Sequence, residues 1–290
     1  MADGLRGRLA LVVLFLGAPF VVRVPAKPSA TADVADALTR VGSYVEQYYA
    51  RAQSIVAEES VILQPLRSDL TADGFARRLV YELRVDWKPD APPDERAVVV
   101  RELVSAKGPP LGPPKQPDCM DPRSVSPEPL AFLLPGRQQK FSWRVAGMGR
   151  VDGREALMID YKPLASEPPR VDWDRDCATI DLPGRTAGRI WSDSSTSEIL
   201  RYDEHLVGWT DIPAPRDKQH FGSAMWYTVE RADTSIRYKP VTFTDPDERL
   251  LLPSEITSVA VIRNSGLPRL RTTQTFSNYR RYVTGARLVP

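Results

Sequence analysis

The sequence predicts an α+β protein in which an antiparallel sheet packs on one N-terminal amphipathic helix. One apolar stripe with helical spacing occurs near the N-terminus, and after it the hydrophobic period changes to 2 and stays there to the end of the chain. No repeated alternation of strand and helix patterns is present, which argues against a parallel α/β sheet.

The helical stripe runs from Val34 to Ile55, with apolar residues at alternating steps of four and three. Asp33 precedes the stripe as a candidate N-cap, and Asp36 follows in the first turn, where the helix dipole favours a negative charge. The same spacing would suit a coiled coil, but it stops after three heptads. We therefore expect a helix that docks on the sheet.

Alternating apolar residues predict half-buried antiparallel strands. The clearest run places five side chains on one face: Leu79, Tyr81, Leu83, Val85 and Trp87. Phe141 and Trp143 repeat the pattern later in the chain. Residues 98–100 are three consecutive valines, which predicts a strand covered on both faces. Turn signals at 151–154, 183–184, 245–247 and 264–266 separate the runs and imply hairpins.

Residues 1–26 have the three parts of a secretory signal peptide. Arg6 and Arg8 supply positive charge, residues 9–17 are apolar, and Val24 and Ala26 put small residues at the −3 and −1 positions of a cleavage site. An uncleaved membrane anchor is the alternative, but a span needs about 20 apolar residues, and the stretch 9–22 is shorter and contains Pro19. We expect a periplasmic or secreted protein whose mature chain has no transmembrane span.

The mature chain, residues 27–290, is expected to form a single β-rich domain. Removal of the first 26 residues changes the net charge from +2 to zero, so the basic surface that nucleic acids require is not expected. The segment 107–135 contains nine prolines. It could mark a domain boundary, but the strands on both sides have the same one-sided pattern. We therefore expect a proline-rich loop with a short helix inside one domain.

The sequence contains two cysteines, Cys119 and Cys177. In an oxidising compartment a pair of cysteines usually forms a disulfide, so we expect these two to be bonded. Two free thiols too far apart to meet are the alternative.

A search for catalytic and metal-binding residues gives no enzyme class, no cofactor and no metal site. The two histidines, His205 and His220, are interpreted as surface residues. The acidic stretch 172–176 lacks the glycine and the glutamate of a calcium-binding EF-hand and is interpreted as an acidic loop. The glycines at 147, 149 and 153 are interpreted as a hairpin turn, because no helix follows them to form a phosphate-binding loop.

Residues 188–201 resemble a strand–turn–strand element of the LolA-like proteins, a family that includes lipoprotein carriers and related sensors of the bacterial envelope. The matching positions are Trp191, Asp193, Thr196, Leu200 and Arg201, and the side chains of Asp193 and Thr196 can stabilise the turn by bonding nearby backbone groups. The resemblance covers residues 33–283 in outline. It implies a curved antiparallel sheet, an incomplete barrel wrapped around helices, with an apolar concavity that holds acyl chains or cargo.

From this resemblance we expect non-covalent binding of a lipid, a lipidated protein or another apolar ligand on the concave face of the sheet. The side chains expected to line the ligand are Leu79, Tyr81, Leu83, Val85, Trp87, Phe141 and Trp143. The alternative is an envelope interaction or sensor domain whose concavity is filled by its own side chains. An enzyme with a polar cleft beside His205 or His220 is the third and least favoured hypothesis.

Overall fold

The structure is a computed structural model that describes residues 30–87, 97–113, 115–122, 129–174, 177–214, 225–244 and 247–281. Two α-helices occur in these ranges, α1 at Ala30–Arg51 and α2 at Pro135–Gln138, and a 3-10 helix at Leu130–Leu133 precedes α2. The strands of the first half are β1 Ile55–Leu66, β2 Arg77–Trp87, β3 Ala97–Lys107, β4 Phe141–Val151, β5 Arg154–Pro163, β6 Arg170–Asp174 and β7 Cys177–Asp181. Those of the second half are β8 Thr186–Asp193, β9 Ile199–Leu206, β10 Thr210–Pro213, β11 Trp226–Thr244, β12 Asp247–Arg263 and β13 Arg269–Arg281.

Eleven of the strands form one antiparallel sheet that curves without closing into a barrel. Its order is β3-β2-β1-β13-β12-β11-β9-β8-β5-β4, and β10 pairs with β11 beside β9. The last strand, β13, therefore lies beside the first, β1. The remaining strands, β6 and β7, form a separate hairpin. The predicted fold class, an incomplete antiparallel barrel with an N-terminal amphipathic helix, is confirmed.

The apolar stripe of α1 supplies one side of the main core. Five of its predicted positions are buried: Leu38, Val41, Val45, Tyr48 and Ala52. All but Leu38 belong to the main core, with the 3-10 helix and strands from both halves of the sheet. Burial of a valine such as Val41 or Val45 contributes roughly 1.5–3 kcal/mol.

Both predicted ends of this helix were wrong. The helix begins at Ala30, so Asp33 lies within its first turns and is not the N-cap. It ends at Arg51, and Ile55 is the first residue of β1. Ile55 is buried in the same core as the helical stripe, so its apolar character fitted either element.

Two further interpretations are corrected by the strand order. The valine run 98–100 belongs to β3, which forms one edge of the sheet, and Val98 and Val100 are 42% and 49% exposed. Only Val99 is buried, so the strand is covered on one face. Of the glycine cluster 147, 149 and 153 interpreted as a hairpin turn, the first two lie inside β4. The turn to β5 is made by Asp152 and Gly153 at positive φ, which confirms the turn predicted at 151–154.

Each edge strand carries a β-bulge. Val80 and Tyr81 are consecutive on β2, but they pair with Ser105 and Leu103 on β3, so Val104 is the extra residue of the bulge. Ile159 and Met158 are consecutive on β5, but they pair with Val145 and Gly147 on β4, so Ala146 is the extra residue of that bulge.

The turn that resembles the LolA-like element joins β8 to β9 and has the expected hydrogen bonds. One carboxylate oxygen of Asp193 accepts from the backbone N–H groups of Ser195 and Thr196, both at 2.9 Å. Arg154 donates to the other oxygen at 2.9 Å. On the following strand Leu200 is buried, and the guanidinium of Arg201 lies 4.5 Å from the centre of the Trp191 ring. The motif is therefore a structural turn.

None of the helices in the described part of the chain combines the length and the hydropathy of a membrane span.

Candidate functional site

The predicted ligand-lining residues of β2 share one face, as expected, but they belong to two separate clusters. Leu83 and Val85 are part of the main core together with α1. Leu79 and Tyr81 belong to a smaller cluster, here called the Leu63 cluster, whose members are Val61, Leu63, Leu79, Tyr81 and Leu270. Leu111 and Met120 of the proline-rich segment pack on this cluster. The side chain of Trp87 lies outside the described residues.

Phe141 and Trp143 lie on β4 beneath the 3-10 helix. The ring of Phe132 lies 5.5 Å from Phe141 and 5.9 Å from Trp143, and 4.7 Å from Tyr161 on β5. The Trp143 indole donates to the backbone carbonyl of Gln138 at 2.9 Å. The chain's own Phe132 therefore covers this part of the concave face. Ligand contact by the seven predicted residues stays a prediction.

Beside this aromatic group, three hydroxyl groups converge on one carboxylate oxygen of Glu204. Tyr161 donates to it at 2.9 Å, Tyr202 at 2.6 Å and Thr186 at 2.8 Å. Burial, and then the negative charge of Glu204, raise the pKa of both tyrosines above the ordinary value. The tyrosines are therefore neutral donors that fix the carboxylate on the concave face. Sequence analysis missed this group, because the four residues come from three strands.

The disulfide between Cys119 and Cys177 is present, as predicted, with the two Cα atoms 5.6 Å apart. It joins the proline-rich segment to the first residue of β7. Gln116 adds two hydrogen bonds to the same connection, accepting from the Cys177 N–H at 3.1 Å and donating to Asp174 at 3.3 Å. The β6–β7 hairpin is thus fastened to the proline-rich segment by one covalent bond and two hydrogen bonds.

Residues 172–174 of the stretch interpreted as an acidic loop belong to β6, so that interpretation was wrong for them, and residues 175–176 lie outside the described ranges. Val171 and Trp173 on β6 pair with Ile180 and Ala178 on β7, and these four half-buried side chains share one face. The other face is exposed and polar, with Asp172, Asp174, Thr179 and Asp181. The hairpin therefore lays an apolar face over the end of the large sheet, where it meets the Ile212 cluster, which consists of Leu206, Ile212, Ala214, Tyr227 and Val229.

An apolar pocket of about 350 Å³ remains between the hairpin, the proline-rich segment and the sheet. Its walls are mostly apolar side chains from distant parts of the chain: Leu111, Trp173, Ala178, Ile180, Ile212, Tyr227, Ile262 and Leu267. Gly112, Pro113, Ser265 and Gly266 complete the lining. Ligand pockets in proteins typically have a volume of about 300–1,000 Å³ with mainly apolar walls, so this pocket has the size and chemistry of a ligand site.

A second pocket of about 530 Å³ lies on the other side of the disulfide, and its lining is polar. Arg77 forms two hydrogen bonds to the carboxylate of Asp121, at 2.8 and 2.6 Å. Burial, with the carboxylates of Asp121 and Glu59 nearby, raises the pKa of Tyr81 to about 12, so its hydroxyl is a neutral donor at pH 7. Lys115, Gln116, Asp118 and Asp174 line the same pocket. Tyr81 is therefore a predicted site residue that borders a cavity.

No family model matches the chain, and no curated protein matches it. Solved structures of LolA-superfamily proteins do match. One is a domain assigned to outer membrane lipoprotein sorting from Vibrio parahaemolyticus, with a TM-score of 0.40, 10% identity and coverage of 86% of this chain and 94% of the other. A DUF1329 family protein from Desulfovibrio piger has a TM-score of 0.39, 10% identity and coverage of 87% and 95%. A LolA superfamily protein from Nitrosomonas europaea has a TM-score of 0.33, 10% identity and coverage of 86% and 94%.

The names of the first and third of these structures include the family that the turn at Trp191 resembles.

Of the two histidines, His205 is exposed on β9, and His220 lies outside the described residues. Within the described ranges no three His, Cys, Asp or Glu side chains cluster as ligands of a metal ion would. The described residues offer an apolar pocket beside a polar one.

Proposed function

We propose that this chain is an exported, non-enzymatic binding protein of the periplasm or the cell exterior. Its ligand is a lipid or another apolar or acylated molecule, held non-covalently in the apolar pocket beneath the β6–β7 hairpin. The observation that carries the proposal is the pocket itself, whose apolar walls Trp173, Ile212 and Ile262 come from three separate parts of the fold.

Burial of an apolar chain supplies the affinity in this proposal. Each methylene group moved from water into such a pocket contributes roughly 0.8 kcal/mol, so burial of about ten groups corresponds to micromolar binding. The rigid attachment of the hairpin supports the same conclusion, because a preformed wall lowers the entropic cost of binding.

The concave-face residues enter the proposal as a second part of the site. Tyr81 borders the polar pocket directly. The main core encloses Leu83 and Val85, and Phe132 covers Phe141 and Trp143, so a ligand would reach these four only where α1 or the 3-10 helix moved aside. We include Leu79 and Trp87 on the same face on the basis of the strand alternation.

Export of the chain is part of the proposal, and the signal-peptide pattern in residues 1–26 supports it. Those residues lie outside the described ranges. The bond between Cys119 and Cys177 fits an oxidising compartment. N-terminal sequencing of the exported protein should begin near residue 27, and a mature chain that retains residues 9–22 would contradict this part.

Pocket filling tests the ligand site. Ala178 lines the pocket, and Thr179, the next residue of the same strand, is exposed on the opposite face. A brominated fatty acid should quench the fluorescence of Trp173 in the wild type. Ala178→Phe should abolish the quenching by occupying the pocket, whereas Thr179→Phe should leave it unchanged. Equal quenching in both variants, or none in the wild type, would show that the pocket does not hold the ligand.

An interaction or sensor domain without a ligand is the second candidate. The observation that favours it is the covering of the concave face by Phe132 and α1. Mass spectrometry of material that co-purifies with the mature protein separates the two candidates. A bound lipid supports the first, and a lipid-free protein that fails the quenching test supports the second.

A further inference from the structure

The apolar and the polar pocket share one wall, to which residues 112–113 and 115–119 contribute. Gly112 lines the apolar pocket, and a Cβ atom added there would lie 2.2 Å from the carbonyl oxygen of Gln116 and 2.9 Å from the Cβ of Cys119. Gln116 and Cys119 line the polar pocket. The hairpin continues this arrangement, because Trp173 and Ala178 face the apolar pocket while the neighbouring pair, Asp174 and Cys177, borders the polar one.

Most charges of the polar pocket are already engaged. Arg77 and Asp121 neutralise each other, with only 10% and 12% of their side chains exposed. Asp174 accepts a hydrogen bond from Gln116. Lys115 and Asp118 carry opposite charges, and no salt bridge joins either of them to another described residue. The charge of Asp118 acts at longer range on Arg77 and helps to raise the pKa of that guanidinium. Besides the Arg77–Asp121 pair, the polar pocket thus holds one cation, Lys115, and two carboxylates, Asp118 and Asp174. Lys115 and Asp118 are three residues apart in the sequence.

We infer that the ligand is an amphiphile with a zwitterionic headgroup, in which an amine stands beside a phosphate or a carboxylate. This inference rests on the proposed function. The apolar part occupies the apolar pocket, and the headgroup lies across the shared wall, with its anionic group at Lys115 and its amine at Asp118. A headgroup with only negative charge would be repelled by Asp118, and one with only positive charge would be repelled by Lys115. The two side chains together therefore favour a headgroup that carries both charges.

Two single-chain phospholipids with the same acyl chain test the headgroup. The mature protein is titrated calorimetrically with lysophosphatidylethanolamine, which is zwitterionic, and with lysophosphatidylglycerol, which is anionic. Dodecanol, which has no charge, reports on the apolar pocket alone. We expect the zwitterionic lipid to bind more tightly than the anionic one. Lys115→Ala and Asp118→Ala should each weaken its binding about three- to fivefold, as for exposed ion pairs, and leave dodecanol binding unchanged.

Matched controls are Lys140→Ala and Asp36→Ala, which remove exposed charges that line neither pocket. Both should bind all three ligands as the wild type does. If dodecanol binds but the two phospholipids bind equally, or if Lys115→Ala and Asp118→Ala bind the zwitterionic lipid like the wild type, the inference is wrong and the proposed function stands. If neither dodecanol nor a phospholipid binds, both are wrong.

Discussion

Arg101 on β3 holds the carboxylate of Glu59 on β1 by two hydrogen bonds, from Nε to Oε2 at 2.6 Å and from Nη2 to Oε1 at 3.2 Å. Gln274 on β13 donates to the same carboxylate at 2.7 Å. The side chain of Glu59 has no exposed area, and that of Arg101 is 4% exposed. Because β2 lies between β1 and β3, this buried pair connects the edge strand β3 to β1 across β2.

Breaking that pair should destabilise the fold. Arg101→Leu leaves the charge of Glu59 buried without its partner, so we expect the free energy of unfolding to fall by about 3–5 kcal/mol. The double change Glu59→Leu with Arg101→Leu removes both charges and should cost less than the single one. Arg84→Leu is the control, because its partner Glu82 is one-third exposed, and a loss below about 1 kcal/mol is expected. Urea denaturation measures all four proteins. A double variant less stable than Arg101→Leu would contradict the prediction.

Loss of the disulfide should weaken both the fold and the ligand site. Cys119 and Cys177 are 58 residues apart, and closing a loop of that length restricts the unfolded chain by about 4 kcal/mol on the entropic model. We expect Cys119→Ser with Cys177→Ser to lower the urea midpoint and to reduce quenching by the brominated fatty acid, because the hairpin wall is released. Reductant should shift the midpoint of the wild type and leave that of the double variant unchanged. An equal midpoint in oxidised and reduced wild type would refute this account.

The turn at Asp193 should make stability depend on pH in acid. Burial alone would raise the pKa of Asp193, but hydrogen bonds from Ser195 and Thr196 and the charge of Arg154 outweigh it and hold the pKa well below the ordinary 3.8. A depressed pKa in the folded state gives stability that is present above about pH 4 and is lost as the pH falls towards the folded value. The stability difference between the wild type and Asp193→Asn should therefore shrink below pH 4. Asp152→Asn, at an exposed turn, is the control, and a difference that stays constant down to pH 2 would exclude the effect.

Removal of the Phe132 ring should uncover the concave face. Phe132 packs on Phe141, Trp143 and Tyr161, so we expect Phe132→Ala to cost about 3 kcal/mol of unfolding free energy. The folded variant should bind more of a hydrophobic dye than the wild type does, because the apolar pocket is the same in both and the concave face is uncovered only in the variant. Phe75→Ala is the matched control, because Phe75 is 85% exposed, and its effect should stay within about 0.5 kcal/mol. A variant that loses stability without binding more dye would indicate that the core closes over the gap.

Sequence patterns predicted the parts of this fold that depend on local order. The alternation from Leu79 to Val85 requires one buried face, and the hydrogen-bonding groups of Asp193 and Thr196 act within their own turn. Whether Val98 is covered depends on what packs on its face of β3, and a local apolar run carries no such information. Ile55 fits both a helical stripe and a strand, so the end of α1 was misplaced.

The apolar pocket could not be predicted for the same reason. Its walls join Leu111, Ile180 and Ile262, which only the folding of the sheet brings together. One local signal was present, because Val171, Trp173, Ala178 and Ile180 alternate with polar residues on either side of residues 175–176. That alternation is typical of a hairpin with one buried face, and the acidic residues between obscured it.

The two bulged edge strands limit how copies of this chain can join. An open sheet exposes unpaired backbone groups at both ends, and such edges can recruit strands from other molecules into fibrous aggregates. Val104 and Ala146 interrupt the regular spacing of those groups and increase the local twist. A foreign strand that extended the ladder would therefore meet an interruption in each edge strand, at Val104 in β3 and at Ala146 in β4. The protein can keep its concavity open on one side without becoming a template for polymerisation.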